Sequence, residues 1–126
     1  MIVLDTSVLI DALTGPRRSA AALRGAIERG ERIVLPSLVL YEWLRGPRQP
    51  EELAAQEALF PSAAAVPFAA AEAARAAKLY VSLPRPRGRE IDLAIAACAL
   101  VLRARLWTLN PRDFRDLRGL ELYPAA

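Results

Sequence analysis

Met1-Ile2-Val3-Leu4-Asp5 is an aliphatic run too short for a helix, stopped by an acid. Ile33-Val34-Leu35 repeats the pattern and is stopped by Pro36. Apolar runs of this length, with no alternating polar positions, read as strands buried on both faces of a parallel sheet. A parallel pair needs a crossover, and residues 8–14 and 18–29 read as the two helices that supply it. The breaker Gly15-Pro16 separates them, and Gly30 closes the second as a C-cap.

Working outward, Ser37 reads as the N-cap of a helix through Arg45, ended by Gly46-Pro47. Pro50-Glu51-Glu52 puts proline and acids in the first turn of the next helix, which runs to Phe60. Val66-Pro67-Phe68 reads as an edge strand, because proline cannot donate to a ladder. An alanine-rich helix reaches about Leu83 and the loop Pro84-Arg85-Pro86-Arg87-Gly88 follows. The helix from Arg89 to Arg103 is the most apolar in the chain. Leu106-Trp107-Thr108 and Leu120-Glu121-Leu122 read as the last two strands, with a turn and a short helix from Asn110 to Leu117 between them.

Strands alternating with helices predict an α/β fold, a three-layer α/β/α sandwich around a central, mostly parallel, twisted sheet of four to five strands. The 126 residues carry no repeat, linker or low-complexity block, so one domain spanning 1–126 is expected. Sites on such sheets form beyond the C-terminal ends of the strands, where the strand order reverses.

The chain contains no histidine. That excludes Ser-His-Asp and Cys-His nucleophiles, imidazole acid–base catalysis and any zinc site that needs an imidazole. Cys98 has no second cysteine to pair with, and it reads as a small buried hydrophobe in a reducing compartment. Seventeen Lys+Arg against fourteen Asp+Glu give a net charge of +3, a mild bias toward polyanionic partners. MIVLDTSVLI has no cationic n-region and Asp5 interrupts it, so no signal peptide is expected there. The longest apolar stretch, Leu93 to Leu102, falls short of the roughly 20 residues of a membrane span. A cytoplasmic protein without membrane contact is the expectation.

What chemistry remains falls to carboxylates in apolar company. Asp5 ends the first strand. Glu42 sits inside Leu38-Val39-Leu40-Tyr41-Glu42-Trp43-Leu44, and Asp92 is the sole charge in Ile91-Asp92-Leu93-Ala94-Ile95-Ala96-Ala97. Each alone has a structural alternative: Asp5 as an N-cap, Glu42 paired with Arg45 at i+3, Asp92 in favourable contact with a helix dipole. Asn110 and Asp113 can likewise cap the short helix after the fourth strand, and Asp11 fits a surface role. Together, crowded carboxylates repel and raise one another's pKa unless a cation neutralises them. Oxygen-only ligation suits Mg²⁺ or Mn²⁺, and such a metal activates water for displacement at phosphorus.

These segments resemble the motifs of a known family. Ile2-Val3-Leu4-Asp5-Thr6-Ser7-Val8-Leu9-Ile10-Asp11 looks like the opening motif of PIN-domain proteins, and Pro36-Ser37 through Glu42 and Gly46 is similar to the second block. Ile91 to Ala97 resembles the third and Leu106 to Phe114 the fourth. In size and order the whole chain resembles the single-domain VapC toxins of toxin–antitoxin modules. The resemblance implies a metal-dependent endoribonuclease in which Asp5, Glu42 and Asp92 hold Mg²⁺ or Mn²⁺ and a metal-activated water attacks the RNA phosphodiester. By the same resemblance Ser7, Thr108, Asn110 and Asp113 support the metal and its ligands, although many members carry an acid where this chain has Asn110. It also implies a homodimer neutralised by a VapB-like antitoxin. Arg45, Arg85, Arg87, Arg89 and Arg112, with Arg48, stand near those motifs and are the expected RNA contacts.

Two rival catalytic readings fail on single residues. A haloacid-dehalogenase-type phosphatase needs a second acid two positions after Asp5, where this chain has Ser7. A response-regulator receiver needs a lysine at a late strand end, and Lys78, the sole lysine, falls in a helix. A catalytically degenerate PIN-like module that binds RNA or protein is the remaining alternative.

Overall fold

In the computed structural model, which describes residues 1–124, the two opening runs pair as read. β1 (Ile2–Leu4) lies between β2 (Ile33–Val34) and β3 (Arg105–Trp107), parallel to both. Ile2, Val3 and Leu4 are wholly buried, which is why the run carries no polar alternation. The strand order β2-β1-β3 reverses direction at β1. Right-handed crossovers therefore put the β1–β2 connection on one face of the sheet and the β2–β3 connection on the other.

The first connection holds α1 (Thr6–Leu13) and α2 (Ala20–Glu28). The second holds α3 (Ser37–Arg45), α4 (Pro50–Leu59), α5 (Ala70–Ser82) and α6 (Glu90–Leu102). The three-layer α/β/α class stands. The sheet has a three-stranded ladder rather than the four to five strands expected, and the two missing strands survive as single parallel bridges, Pro36↔Val66 and Leu106↔Leu122. Both stop for local reasons. After Pro36 the chain turns directly into α3 at Ser37, whose N–H is the last to reach Val66. At the other edge the N–H of Ala104 is taken by the carbonyl of Ala99, as α6 ends with Arg103 in the left-handed region, so it cannot extend the pairing. The last two residues of the expected 1–126 domain lie outside the described residues.

α6 is the central helix of its layer. Leu93 through Ala99 are all buried, with small side chains between the large ones, and the helix packs on β1 and β3 while α5 covers it. Cys98 is buried as expected, and burial pushes its thiol up to about 11. α1 begins at Thr6, two residues earlier than the reading from Val8, because the carbonyl of Asp5 accepts from the N–H groups of Val8 and Leu9. Ser37 is the first residue of α3 rather than its cap; Pro36 holds the cap position without a side-chain bond. Among the described residues, no helix is long and apolar enough to cross a membrane.

Candidate active site

Asp5 leaves β1 at the switch point between β2 and β3, 5% exposed, with its side chain not capping α1. Its Oδ2 instead accepts the hydroxyl of Ser7 at 2.9 Å and that of Thr108 at 2.7 Å. Those hydroxyls are themselves oriented from behind. The N–H of Leu109 donates to Ser7 Oγ and that of Asn110 to Thr108 Oγ1, each at 3.0 Å. The two ends of the chain thus meet on one carboxylate oxygen.

α3 touches α1 on one side and α6 on the other, and it carries Glu42 to the same end of the sheet. Thr6, a buried residue that the sequence reading did not single out, donates to Glu42 Oε1 at 2.6 Å. The expected Arg45–Glu42 pair is present at 3.4 Å, but the Arg45 side chain is 56% exposed and gives the carboxylate little. The hydroxyl of Thr6 is thus the closer of the two contacts that orient Glu42. The signal for it was a hydroxyl directly after Asp5, at the first position of α1.

Asp92 lies in the first turn of α6, half-buried. Burial pushes its carboxyl from 3.8 up to about 6; the negative charges of Asp5, Asp113 and Glu42 add to the rise, and Arg89 draws it back. Three acids from three other segments therefore act on Asp92 at the mouth of the sheet. Among the described residues no three His, Cys, Asp or Glu side chains stand close enough to grip a metal ion between them. The donors present are carboxylate and hydroxyl oxygens, which fit a hard divalent cation bound through one or two carboxylates plus water and phosphate.

The sign of the Asp92 effect is testable. Well below pH 4 the group is protonated whether folded or unfolded, and near pH 4 the two states still differ little. As pH rises toward about 6 the unfolded carboxyl ionises first, so stability is lost, and above it the full penalty is present. A rise of that size corresponds to about 3 kcal/mol for an isolated group, and solvent over its exposed half cuts this to about 1 kcal/mol. Asp92→Asn is expected to raise the melting temperature of the metal-free protein by about 4 °C at pH 7, and to leave it unchanged at pH 4. Melts in EDTA at both values check this; a lower melting point for the variant at pH 7 would show the charge to be balanced.

The remaining expected residues divide. Asp113 is exposed on the 3₁₀ turn Pro111–Asp113 and acts on Asp92, whereas Asn110 is exposed and joins the network through its backbone. Arg85, Arg87 and Arg112 are exposed; Arg112 lines a groove of about 310 Å³ with Leu109, Asp113 and Arg115 beside the acids. Arg48 is occupied, its guanidinium 4.2 Å over the Trp43 ring and its Nε donating to the Trp43 carbonyl at 2.9 Å. Arg89 is bound to Asp116, which keeps the guanidinium charged and holds the Asp116 carboxyl below its ordinary range. Asp11 accepts from Ser19 at 2.6 Å, outside this network.

Known proteins share this arrangement of elements. Over 117 residues the chain is 37% identical to Ribonuclease VapC19 of Mycobacterium tuberculosis, an alignment covering 90% of this chain and 92% of that protein. Its fold is similar to that of a chain in DNA-bound VapBC from Salmonella typhimurium, with TM-score 0.83, 20% identity and coverage of 99% and 98%. It is likewise similar to a chain of VapBC2 from Rickettsia felis bound to a DNA fragment of its promoter, with TM-score 0.75, 21% identity and coverage of 98% on both sides. The family model of the PIN domain matches residues 2–120, nearly the whole sheet and every acid described above, and the chain belongs to the PIN-domain family.

Proposed function

We propose that this chain is a metal-dependent endoribonuclease of the VapC type, a single domain using Mg²⁺ or Mn²⁺ and silenced by a VapB-like antitoxin. The observation that carries the proposal is the convergence of Asp5, Glu42, Asp92 and Asp113, from separate segments, at one end of the sheet, where burial and the other three charges raise the Asp92 carboxyl. Likeness to a protein named a ribonuclease, at 37% identity along nearly the full length, supports the substrate class.

In this reading the cation would sit among Asp5, Asp92 and Glu42, held directly by one or two of them and through water by the rest, and would supply polarisation of a phosphodiester oxygen and a lowered pKa of water. The chain's own part is orientation. Ser7 and Thr108 fix Asp5 through one oxygen and leave Oδ1 outside that pair of bonds. Thr6 fixes Glu42 in the same way, and Asp92 is steadied by its place in the first turn of α6. Arg85, Arg87 and Arg112, all exposed, are suited to phosphate contacts that give affinity and register but little sequence information.

Partners belong to the same proposal. An apolar groove of about 440 Å³ between α1, α2 and α4, lined by Leu13, Leu23, Ile27 and Leu59, suits an antitoxin segment. A second of about 420 Å³ at α5 and α6, lined by Leu38, Phe68, Tyr80 and Val81, suits the second copy of a homodimer. The first is lined by residues of α1, α2 and α4 and the loop after α1, whereas the second borders the acids, its lining including Glu90, Ile91 and Leu93 on either side of Asp92.

The test is cleavage of a total RNA pool by the purified, antitoxin-free protein with Mn²⁺ or Mg²⁺, and again with EDTA. Cutting that requires the metal is expected. One feature favours the degenerate binding module, the exposed Asn110 where many members carry an acid. That reading predicts neither a rise in melting temperature with Mn²⁺ nor cut RNA.

A further inference from the structure

Arg89 stands at the head of α6, three residues before Asp92, and both its terminal nitrogens are engaged. Nη1 donates to Asp116 Oδ2 and Nη2 to Asp116 Oδ1, each at 2.8 Å, and Nη2 also donates to the carbonyl of Asp113 at 2.9 Å. Such a paired fork is the strong, directional form of an arginine–carboxylate contact. The Arg89 side chain is 25% exposed and that of Asp116 50%, so the clamp's advantage over the 3.4 Å Arg45–Glu42 contact lies in its short, two-armed geometry and not in exclusion of solvent.

The segment it grips is otherwise anchored at Phe114 and Leu117, both in the core, which leaves the exposed Asp113 to the turns around it. Residues 110–117 make short-range turns, with the N–H of Asp113, Phe114 and Leu117 donating to the carbonyls of Asn110, Pro111 and Phe114. Only Phe114 and Leu117 are buried within it. Asp113, its one side chain that acts on Asp92, is exposed at the end of the single 3₁₀ turn Pro111–Asp113. To meet an RNA phosphate instead, Arg89 would have to give up two short bonds to a carboxylate whose charge cancels its field.

We propose that Arg89 is a positioning residue: by clamping Asp116 and the Asp113 carbonyl, it holds the 110–116 segment to the head of α6 and keeps Asp113 set toward Asp92. Its effect on cleavage rests on the nuclease reading above; the clamp itself rests on geometry.

The test uses Arg89→Ala, Arg89→Lys, Asp116→Asn and the Arg89→Ala/Asp116→Asn double variant of the whole chain. Two readouts are taken: amide exchange at Asp113, Phe114 and Leu117, and Mn²⁺-supported RNA cleavage as a function of salt. Arg89→Ala and Asp116→Asn are both expected to speed exchange at those amides while leaving β1 and α6 protected. Each should lower kcat about tenfold with KM and the salt dependence little changed. The double variant should be no worse than either single, and lysine, which cannot form the fork, should restore only part. A raised KM with a flatter salt dependence in Arg89→Ala, beside an unaffected Asp116→Asn, would overturn the clamp and make Arg89 a phosphate contact. Unchanged exchange would overturn it as well. If the wild-type protein cuts no RNA, the nuclease reading fails while amide exchange still decides the clamp.

Discussion

Asp5→Asn is expected to lower metal-supported RNA cleavage at least about a hundredfold while leaving the protein folded. Asparagine keeps the shape of the side chain, and its carbonyl oxygen can accept the same hydroxyls of Ser7 and Thr108 that now meet on Oδ2. What it removes is the negative charge at the switch point of the sheet. With that charge gone, one of the repulsions that raise the Asp92 carboxyl disappears, so the metal-free variant should melt no lower than the wild type. Loss of activity with an unchanged or higher melting temperature separates a chemical role from a structural one. Single-turnover cleavage of one defined RNA by both proteins, beside thermal melts in EDTA, measures the two together. Equal cleavage rates would remove Asp5 from the chemistry and send the question to a contaminating nuclease.

The largest loss of stability is expected at Trp43. Its side chain is wholly buried in α3, with the Arg48 guanidinium stacked on the ring 4.2 Å away. Trp43→Ala deletes the ring from a packed interior and strands that guanidinium, which should destabilise the fold by about 3–5 kcal/mol. The indole N–H is the one buried side-chain polar atom among the described residues without a partner, a feature that itself carries a penalty of about 1–3 kcal/mol. Trp43→Phe removes that N–H along with part of the ring, so the two effects oppose, and the change should stay within about 1 kcal/mol. Urea denaturation of the two variants tests the pair. A phenylalanine variant as unstable as the alanine variant would mean that the indole N–H finds a partner in solution.

The strands and helices were legible because their signals are local. Ile2-Val3-Leu4 and Ile33-Val34 could be placed by an absence of polar residues, and α6 by an unbroken small and apolar run. The edge strands were over-read, since an apolar run says nothing of whether its neighbour's N–H groups are already spent, as that of Ala104 is on Ala99. The acids were legible for the converse reason: a carboxylate among apolar residues stands out wherever it folds. Their partners were not. Thr6 reaches Glu42 across 36 residues, and Arg89 reaches Asp116 across 27, with no spacing rule to announce either. The i+3 rule offered Arg45 to Glu42 and found the weaker of its two contacts.

Asp5 is settled by hydroxyls from opposite ends of the polypeptide, Ser7 beside it and Thr108, 103 residues later. In a chain growing on the ribosome, Asp5 and Glu42 are made well before β3 exists to receive β1. Until Thr108 has emerged, the carboxylate lacks half of its orientation and the sheet lacks one of the two strands flanking β1. For the nuclease proposed above, translation would thus act as a safety interval, the site staying unassembled while the chain is still tethered to RNA.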